Sequence, residues 1–132
     1  MIGFDTNVLI RLFTRDDPEQ FKLAYRVFQS LTPLEPGWIS LANLMEIDWV
    51  LRSRYGHARA GVARIFEDLL SSDTVIVEQA ATVANALRLF ARAKADFGGC
   101  LIVASAHAAG CGRVVTFDKI AARDLGMERI VT

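Results

Sequence analysis

Cysteine and histidine are scarce in this sequence. Its 132 residues include only two cysteines, Cys100 and Cys111, and two histidines, His57 and His107. Two cysteines are too few for a disulfide framework, and neither has partners at the spacing of a zinc finger. The histidines lack the neighbouring groups that a catalytic base needs. A disulfide scaffold and a cysteine–histidine zinc site are therefore excluded, and any catalysis must use other side chains.

Net charge and long apolar runs are also absent. Lys plus Arg and Asp plus Glu each total 15, so contact with nucleic acid must come from a local patch. No segment approaches the roughly 20 apolar residues of a membrane-spanning helix, and the N-terminus lacks a signal-peptide pattern. Because 52% of the residues are hydrophobic, a disordered chain is excluded. We expect one cytoplasmic domain over residues 1–132, without membrane contact.

Short apolar runs alternate with segments of helical periodicity along the chain. This alternation is typical of a parallel sheet covered by helices. The predicted strands are 2–4, 38–40, 74–77, 113–117 and 128–131. The predicted helices are 8–13, 16–31, 41–56, 57–70, 78–94, 96–109 and 119–125. The sequence thus predicts an α/β domain with a central, mostly parallel sheet of about five strands.

Acidic side chains stand where such folds bind ligands, beyond the carboxyl ends of strands. Asp5 follows the first predicted strand and Asp118 the fourth. Glu46 lies in an apolar stretch of the helix after the second strand, and Asp96 begins the helix before the fourth. Clustered carboxylates repel one another unless a cation neutralises them, and hard oxygen ligands suit Mg²⁺ or Mn²⁺. The pattern predicts an acidic metal site for phosphate chemistry.

Each of these acids also has a structural interpretation. Asp5, Asp96 and Asp118 all stand where a helix N-cap is expected. Glu46 could lie on the solvated face of its helix, as most glutamates do. The residues alone leave both interpretations open.

Other side chains are interpreted as structural from the sequence. Trp49 is expected to be a packing residue rather than a platform for a nucleic-acid base, and His107 a core or partly buried histidine. Basic residues form two groups, each expected to be a solvated helical face that could attract RNA phosphates if it bordered the acidic site. The groups are Arg52, Arg54, His57, Arg59 and Arg64, and Arg88, Arg92 and Lys94.

Four segments, in order, resemble the motifs of PIN-domain nucleases, and specifically of the VapC-type toxins. They are Met1–Ile10, Ser40–Glu46, Asp96–Ile102 and Val115–Lys119. Their order and spacing, and the total length, fit this family over nearly the whole chain.

The resemblance implies a Rossmann-like PIN fold, an α/β/α sandwich, and a Mg²⁺- or Mn²⁺-dependent endoribonuclease. Toxins of this kind are held inactive by a small VapB-type antitoxin, usually form homodimers, and cut RNA such as tRNA or rRNA. The residues that match the family's site are the metal-ligating acids Asp5, Glu46 and Asp118 and the supporting residues Asn7 and Thr116.

The third motif departs from the family pattern at Gly99. The family usually has Asp-Phe-x-Asp-x-Leu-Ile, in which the second acid ligates the metal. Here Asp96 matches the first acid and Gly99 stands at the second position. Asp96 remains a candidate catalytic residue, because it could reach the metal through water. A glycine inside a helix costs about 0.8–1 kcal/mol relative to alanine, so Gly99 does not serve helix stability.

Two explanations for Gly99 stay open. The chain is a weakly active natural member, or it carries a change that removed a toxicity; the intact remainder of the site favours the second. The leading prediction is therefore an attenuated or inactive metal-dependent RNase toxin. The alternative is a catalytically dead PIN module that binds only a partner or RNA. A nucleotide-binding protein is disfavoured, because no glycine-rich phosphate loop follows the first strand.

Overall fold

A computed structural model describes residues 1–131, which form seven helices and five short strands. In chain order they are β1 (Ile2–Gly3), α1 (Thr6–Thr14), α2 (Pro18–Gln29), β2 (Gly37–Ile39), α3 (Leu41–Ser53), α4 (Arg59–Ser71), β3 (Val75–Val77), α5 (Ala80–Arg92), α6 (Phe97–Ala108), β4 (Val115–Thr116), α7 (Lys119–Leu125) and β5 (Glu128–Arg129). Every predicted helix and strand is present in the predicted order. The α/β class is confirmed.

The strands pair in parallel, as predicted, but the largest sheet is smaller than predicted. β1, β2 and β3 form one sheet in that order, with Trp38 beside Gly3 on one side and Ile76 on the other. β4 and β5 form a second sheet, with Val115 beside Glu128. Three strands rather than about five therefore share a sheet within residues 1–131. An apolar run predicts a strand, but its pairing depends on contacts distant in the sequence.

The chain divides into two compact units, of which the first is Met1–Glu78. Its three-stranded sheet and helices α1 to α4 enclose an apolar core, and burial of each such side chain contributes roughly 1.5–3 kcal/mol. The side chains with no exposed surface are Leu9, Ile39, Ile47, Leu51, Val62 and Phe66. Helix α2 begins at Pro18 because Asp17 caps it, its side chain accepting from the Gln20 N–H at 3.0 Å.

The second unit begins at Gln79 and is built around the pair of helices α5 and α6. The rings of Phe90 and Phe97 meet edge to face at a centroid distance of 5.8 Å. Cys100 on α6 is buried, whereas Cys111 is exposed. No helix within residues 1–131 has both the length and the apolar character needed to cross a membrane.

Candidate functional site

Asp5 stands between β1 and α1, at the N-cap position of the helix. Its backbone is extended and its carbonyl oxygen accepts from the Val8 N–H at 3.0 Å, but its side chain accepts no capping hydrogen bond. The side chains of Asp17, Asp96 and Asp118 do cap their helices. The capping interpretation of Asp5 therefore fails at the carboxylate, which is exposed and available to another partner.

Asn43 joins the start of α3 to the end of β1. It forms a capping box with Ser40, whose N–H donates to Asn43 Oδ1 at 3.0 Å while Ser40 Oγ accepts from the Asn43 N–H at 3.0 Å. The buried amide of Asn43 donates through Nδ2 to the Phe4 carbonyl oxygen at 3.1 Å and to Thr6 Oγ1 at 3.0 Å. Both ends of the amide are thereby satisfied, so its orientation is determined.

Thr6 connects Asn43 to Glu46 through its hydroxyl group. Thr6 Oγ1 accepts from Asn43, so its own hydrogen is free to donate, and it donates to Glu46 Oε1 at 3.0 Å. Thr6 is buried, whereas Glu46 is exposed at the surface of α3. Glu46 thus lies on a solvated helical face, as its structural interpretation predicted. Its carboxylate nevertheless accepts a hydrogen bond from Thr6, a residue of the first motif.

The sequence interpretation missed Thr6 and Asn43 as positioning residues. The Ser-x-x-Asn spacing before the apolar face of α3 was a usable signal, because it is typical of a capping box. Asn7, named from the family pattern, is exposed and borders the same cleft as Glu46. The hydrogen bond to Glu46 comes from Thr6 rather than from Asn7.

Asp118 lies in the second unit, between β4 and α7. Its Oδ1 caps α7 by accepting from the Ile120 N–H at 2.9 Å. Its own N–H donates to Thr116 Oγ1 at 3.0 Å, so Thr116 fixes the backbone that carries the acid. Asp118 is exposed, and its capping interpretation is confirmed for one of its two oxygens.

Asp96 caps α6, as its structural interpretation predicted. Its Oδ1 accepts from the Gly99 N–H at 2.9 Å. A Cβ placed on Gly99 would stand 3.2 Å from that oxygen and 3.4 Å from Leu125 Cδ1. A Cβ there needs its neighbour to move by only a few tenths of an ångström, so the backbone at position 99 does not by itself exclude the family's usual acid.

The four candidate acids are divided between the units. Asp5 and Glu46 belong to the first unit, and Asp96 and Asp118 to the second. Within residues 1–131, no three side chains of histidine, cysteine, aspartate or glutamate lie together as a group that could hold a metal ion. The joint metal site of these acids stays a prediction.

The basic groups expected from the sequence differ in what they contact. In the first group, Arg52 forms an ion pair with the buried Asp48 at 2.7 Å, which makes it a structural residue. In the second group, Arg88 and Arg92 border a cleft of about 550 Å³ with His107.

His107 is exposed, so its expected place in the core is wrong. It lies in the last turn of α6, where Ala104 and Ala108 line the same cleft toward α5. Helices α5 and α6 contain no aspartate or glutamate. The cleft therefore carries positive charge without an acid on either helix.

The chain matches one protein family over most of its length. The model of the family described as PIN domain matches residues 2–124. No curated protein matches the chain. Apart from Met1, the matched range covers all four segments that resemble motifs, including Asp5, Glu46, Asp96 and Asp118.

Proposed function

The chain belongs to the PIN-domain family, and we propose that it is a metal-dependent endoribonuclease of the VapC type. PIN domains are generally nucleases. The proposal includes one PIN domain over residues 1–132, a cytoplasmic location and an attenuated activity. The observation that carries it is the hydrogen bond from Thr6 to Glu46, since it joins an acid of the second motif to the first motif.

The donor chemistry beside β1 fits a divalent cation. The Asp5 carboxylate accepts no hydrogen bond from α1, and Glu46 accepts one from a neutral hydroxyl. Neither acid is in an ion pair within residues 1–131. Exposed carboxylate oxygens without a counter-charge are hard ligands that suit Mg²⁺ or Mn²⁺. Asp5 and Glu46 would hold the ion, and the resemblance to the family implies Asp118 as a further ligand.

The chain's own residues orient this chemistry. When bound, the cation supplies an activated water and offsets the charge on the phosphodiester. Asn43 and Thr6 hold Glu46 in one orientation, and Thr116 holds the backbone of Asp118. The reaction needs no histidine or cysteine nucleophile, since the group that attacks the phosphodiester is water.

RNA as the substrate is supported by the cleft between α5 and α6. Arg88 donates to the neutral Asn85, and no ion pair involves Arg88 or Arg92 within residues 1–131. Guanidinium groups without a carboxylate partner are suited to phosphate oxygens. We propose that they contact the RNA backbone.

The proposed partners are a VapB-type antitoxin and a second copy of the chain. An open groove of about 310 Å³ between α1 and α2 exposes Leu23 and Val27, with Val8 beside them. Exposed apolar surface of this kind is typical of a protein interface. Light scattering of the chain at tens of micromolar tests the homodimer, and a monomer there contradicts it.

Gly99 favours a second candidate, a PIN module that binds RNA or a partner without cleaving. The usual family acid is missing at this position, and Asp96 Oδ1 is engaged in the cap of α6. The two candidates differ in what Gly99→Asp does, because that substitution returns a carboxylate to the position where the family usually has one, with a Cβ that the neighbouring Asp96 Oδ1 accommodates by a small shift.

The deciding experiment measures cleavage of labelled single-stranded RNA in Mg²⁺ or Mn²⁺. We expect slow or no cleavage by the chain as it stands and clear cleavage by Gly99→Asp, together with growth arrest on expression without antitoxin. Adding Asp5→Asn or Glu46→Gln to Gly99→Asp should abolish both. No cleavage by Gly99→Asp, with RNA binding retained, would instead establish the binding module.

A further inference from the structure

A second cleft lies directly beside Glu46 in the first unit. It has a volume of about 400 Å³ and is lined by Asn7, Met45, Glu46, Trp49, Val50 and Arg54. Trp49 is 59% exposed, which overturns its expected role as a packing residue. The core face of α3 is formed instead by Leu44, Ile47 and Leu51, one and two helical turns apart.

Trp49 and Glu46 occupy one face of α3. They are three residues apart, and residues at this spacing are neighbours on a helix surface. Met45, four residues before Trp49, is 44% exposed and extends the apolar wall of the cleft. A flat aromatic surface and a carboxylate proposed to bind metal therefore open into the same space.

Arg54 completes the cleft. Its Cζ lies 5.6 Å from the centroid of the Trp49 ring, and no ion pair involves it within residues 1–131. The guanidinium holds the indole in place by a cation–π contact and keeps its N–H groups for another acceptor. Arg52, two residues earlier, is instead paired with Asp48.

We propose that this cleft binds an unpaired RNA base, stacked on Trp49, with Arg54 contacting the adjacent phosphate. The proposal rests on the proposed function, because a strand cut beside Glu46 must lay a flanking nucleotide near Trp49. Stacking on an aromatic ring tolerates every base and requires a face that is not already stacked in a duplex. The cleft therefore selects single-stranded RNA and sets the position of the strand at the site.

The charges favour RNA over an apolar peptide as the occupant. A peptide helix or a second copy of the chain would bury Arg54 and Glu46 against apolar surface, and burying charges is costly without partners. A nucleotide offers a phosphate to Arg54 and a π-face to Trp49. Interfaces with protein remain outcomes of the test.

The test measures binding of an unlabelled oligouridylate of about ten nucleotides by tryptophan fluorescence, in EDTA, so that nothing is cleaved. We expect quenching on binding, retained in Trp38→Phe, in which Trp49 is the one remaining tryptophan. Followed by anisotropy of an end-labelled oligonucleotide, Trp49→Ala should weaken binding about tenfold or more, and Trp49→Phe much less.

Matched controls separate stacking from other roles. Tyr25→Ala removes an exposed aromatic ring from α2, outside the cleft, and should leave binding unchanged. An abasic oligonucleotide, a sugar–phosphate chain of the same length without bases, should bind the parent chain and Trp49→Ala with equal affinity. Circular dichroism and thermal melting confirm that each variant is folded.

Three outcomes overturn the proposal. Unchanged RNA affinity in a folded Trp49→Ala excludes the stacking site. A weaker homodimer in Trp49→Ala, with unchanged RNA binding, makes the cleft an interface between copies. Loss of antitoxin binding without loss of RNA binding makes it an antitoxin contact. Because the assay contains no metal, it measures RNA binding without cleavage. Its results therefore test the stacking site even if the nuclease proposal fails.

Discussion

Thr6 and Glu46 are 40 positions apart in the sequence, yet Thr6 Oγ1 donates to Glu46 Oε1 at 3.0 Å. The bond connects the helix that follows β1 with the helix that follows β2. It also has a fixed direction, because Asn43 donates to the same hydroxyl. Two segments that resemble nuclease motifs are thus coupled through side chains, which makes the coupling accessible to mutation.

Thr6→Val should destabilise the fold and loosen Glu46. The substitution keeps the shape but removes the acceptor of a buried Asn43 N–H, and an unsatisfied buried group costs about 1–3 kcal/mol. Urea unfolding should show this loss, whereas Thr6→Ser, which keeps the hydroxyl, should stay near the parent. Equal stability of Thr6→Val and the parent would contradict the network.

Gly99→Asp should raise the affinity for Mn²⁺ measured by calorimetric titration. The new carboxylate adds a hard oxygen ligand and a negative charge, while its Cβ meets only a close contact with Asp96 Oδ1. Gly99→Ala is the matched control, because it adds the same Cβ without the carboxylate and should not raise the affinity. Equal affinities for aspartate and glycine would show that Asp96 or water already replaces the missing ligand.

Asp96→Asn in the Gly99→Asp background should retain most of the cleavage activity. The amide oxygen of asparagine still accepts the hydrogen bond from the backbone N–H of residue 99, so the cap of α6 is kept. Asp96→Ala should lose roughly 1 kcal/mol of stability through the missing cap. Loss of cleavage in a stable Asp96→Asn variant would make Asp96 a metal ligand.

Asp16 should make the stability of the fold depend on acid pH. Hydrogen bonds from Tyr55 and Thr14, together with the charge of Arg11, lower the pKa of Asp16 in the folded state. A carboxyl with a depressed pKa contributes stability above its unfolded pKa of about 3.9, and the contribution is lost as the pH falls through the folded value.

Urea midpoints at neutral pH and near pH 3 measure this effect. Asp16→Asn should flatten the fall in stability over that window, and Tyr55→Phe should flatten it in part. Asp73→Asn, at an exposed acid in the loop before β3 and outside this hydrogen-bond network, is the control for the aspartate-to-asparagine change itself. The same fall in urea midpoint in Asp16→Asn and in the parent would show that Asp16 does not contribute to the pH dependence of stability.

Arg88 and Arg92 should set part of the salt dependence of RNA binding. Each phosphate contact to a single strand contributes about 0.7 to the slope of log K against log salt, so replacing both with glutamine should reduce the slope by roughly 1.4. Arg123→Gln is the control in the same unit, because Arg123 is already paired with Asp124 at 2.7 Å. An unchanged slope in the double variant would exclude the cleft as an RNA contact.

Local patterns predicted much of this fold. Caps such as Asp96 and Asp118, and the periodicity of each helix, act over a few residues, so the order of elements could be predicted. The pairing of the two- and three-residue strands could not, because it depends on distant contacts. Spacing could have indicated that Trp49 is exposed, since it stands off the face of Leu44, Ile47 and Leu51.

The candidate site was harder to predict than the fold. The acids stand out by their place after strands, but the bond between Thr6 and Glu46 depends on how β1 and α3 lie together. Asp5, Asp96 and Asp118 all have extended backbone at an N-cap, but only the side chains of Asp96 and Asp118 accept a capping hydrogen bond. The sequence carries the same residue type at all three positions and cannot distinguish them.

Both ends of the Asn43 amide are engaged, so deamidation of this residue would disconnect Glu46 from the first motif. Deamidation would replace Nδ2 with a second oxygen, which would face the Phe4 carbonyl oxygen and the Thr6 hydroxyl as acceptor against acceptor. The Thr6 hydrogen would then turn toward residue 43, and Glu46 would lose its donor. The exchange of one amide for a carboxylate would thus release the acid that the fold holds in place.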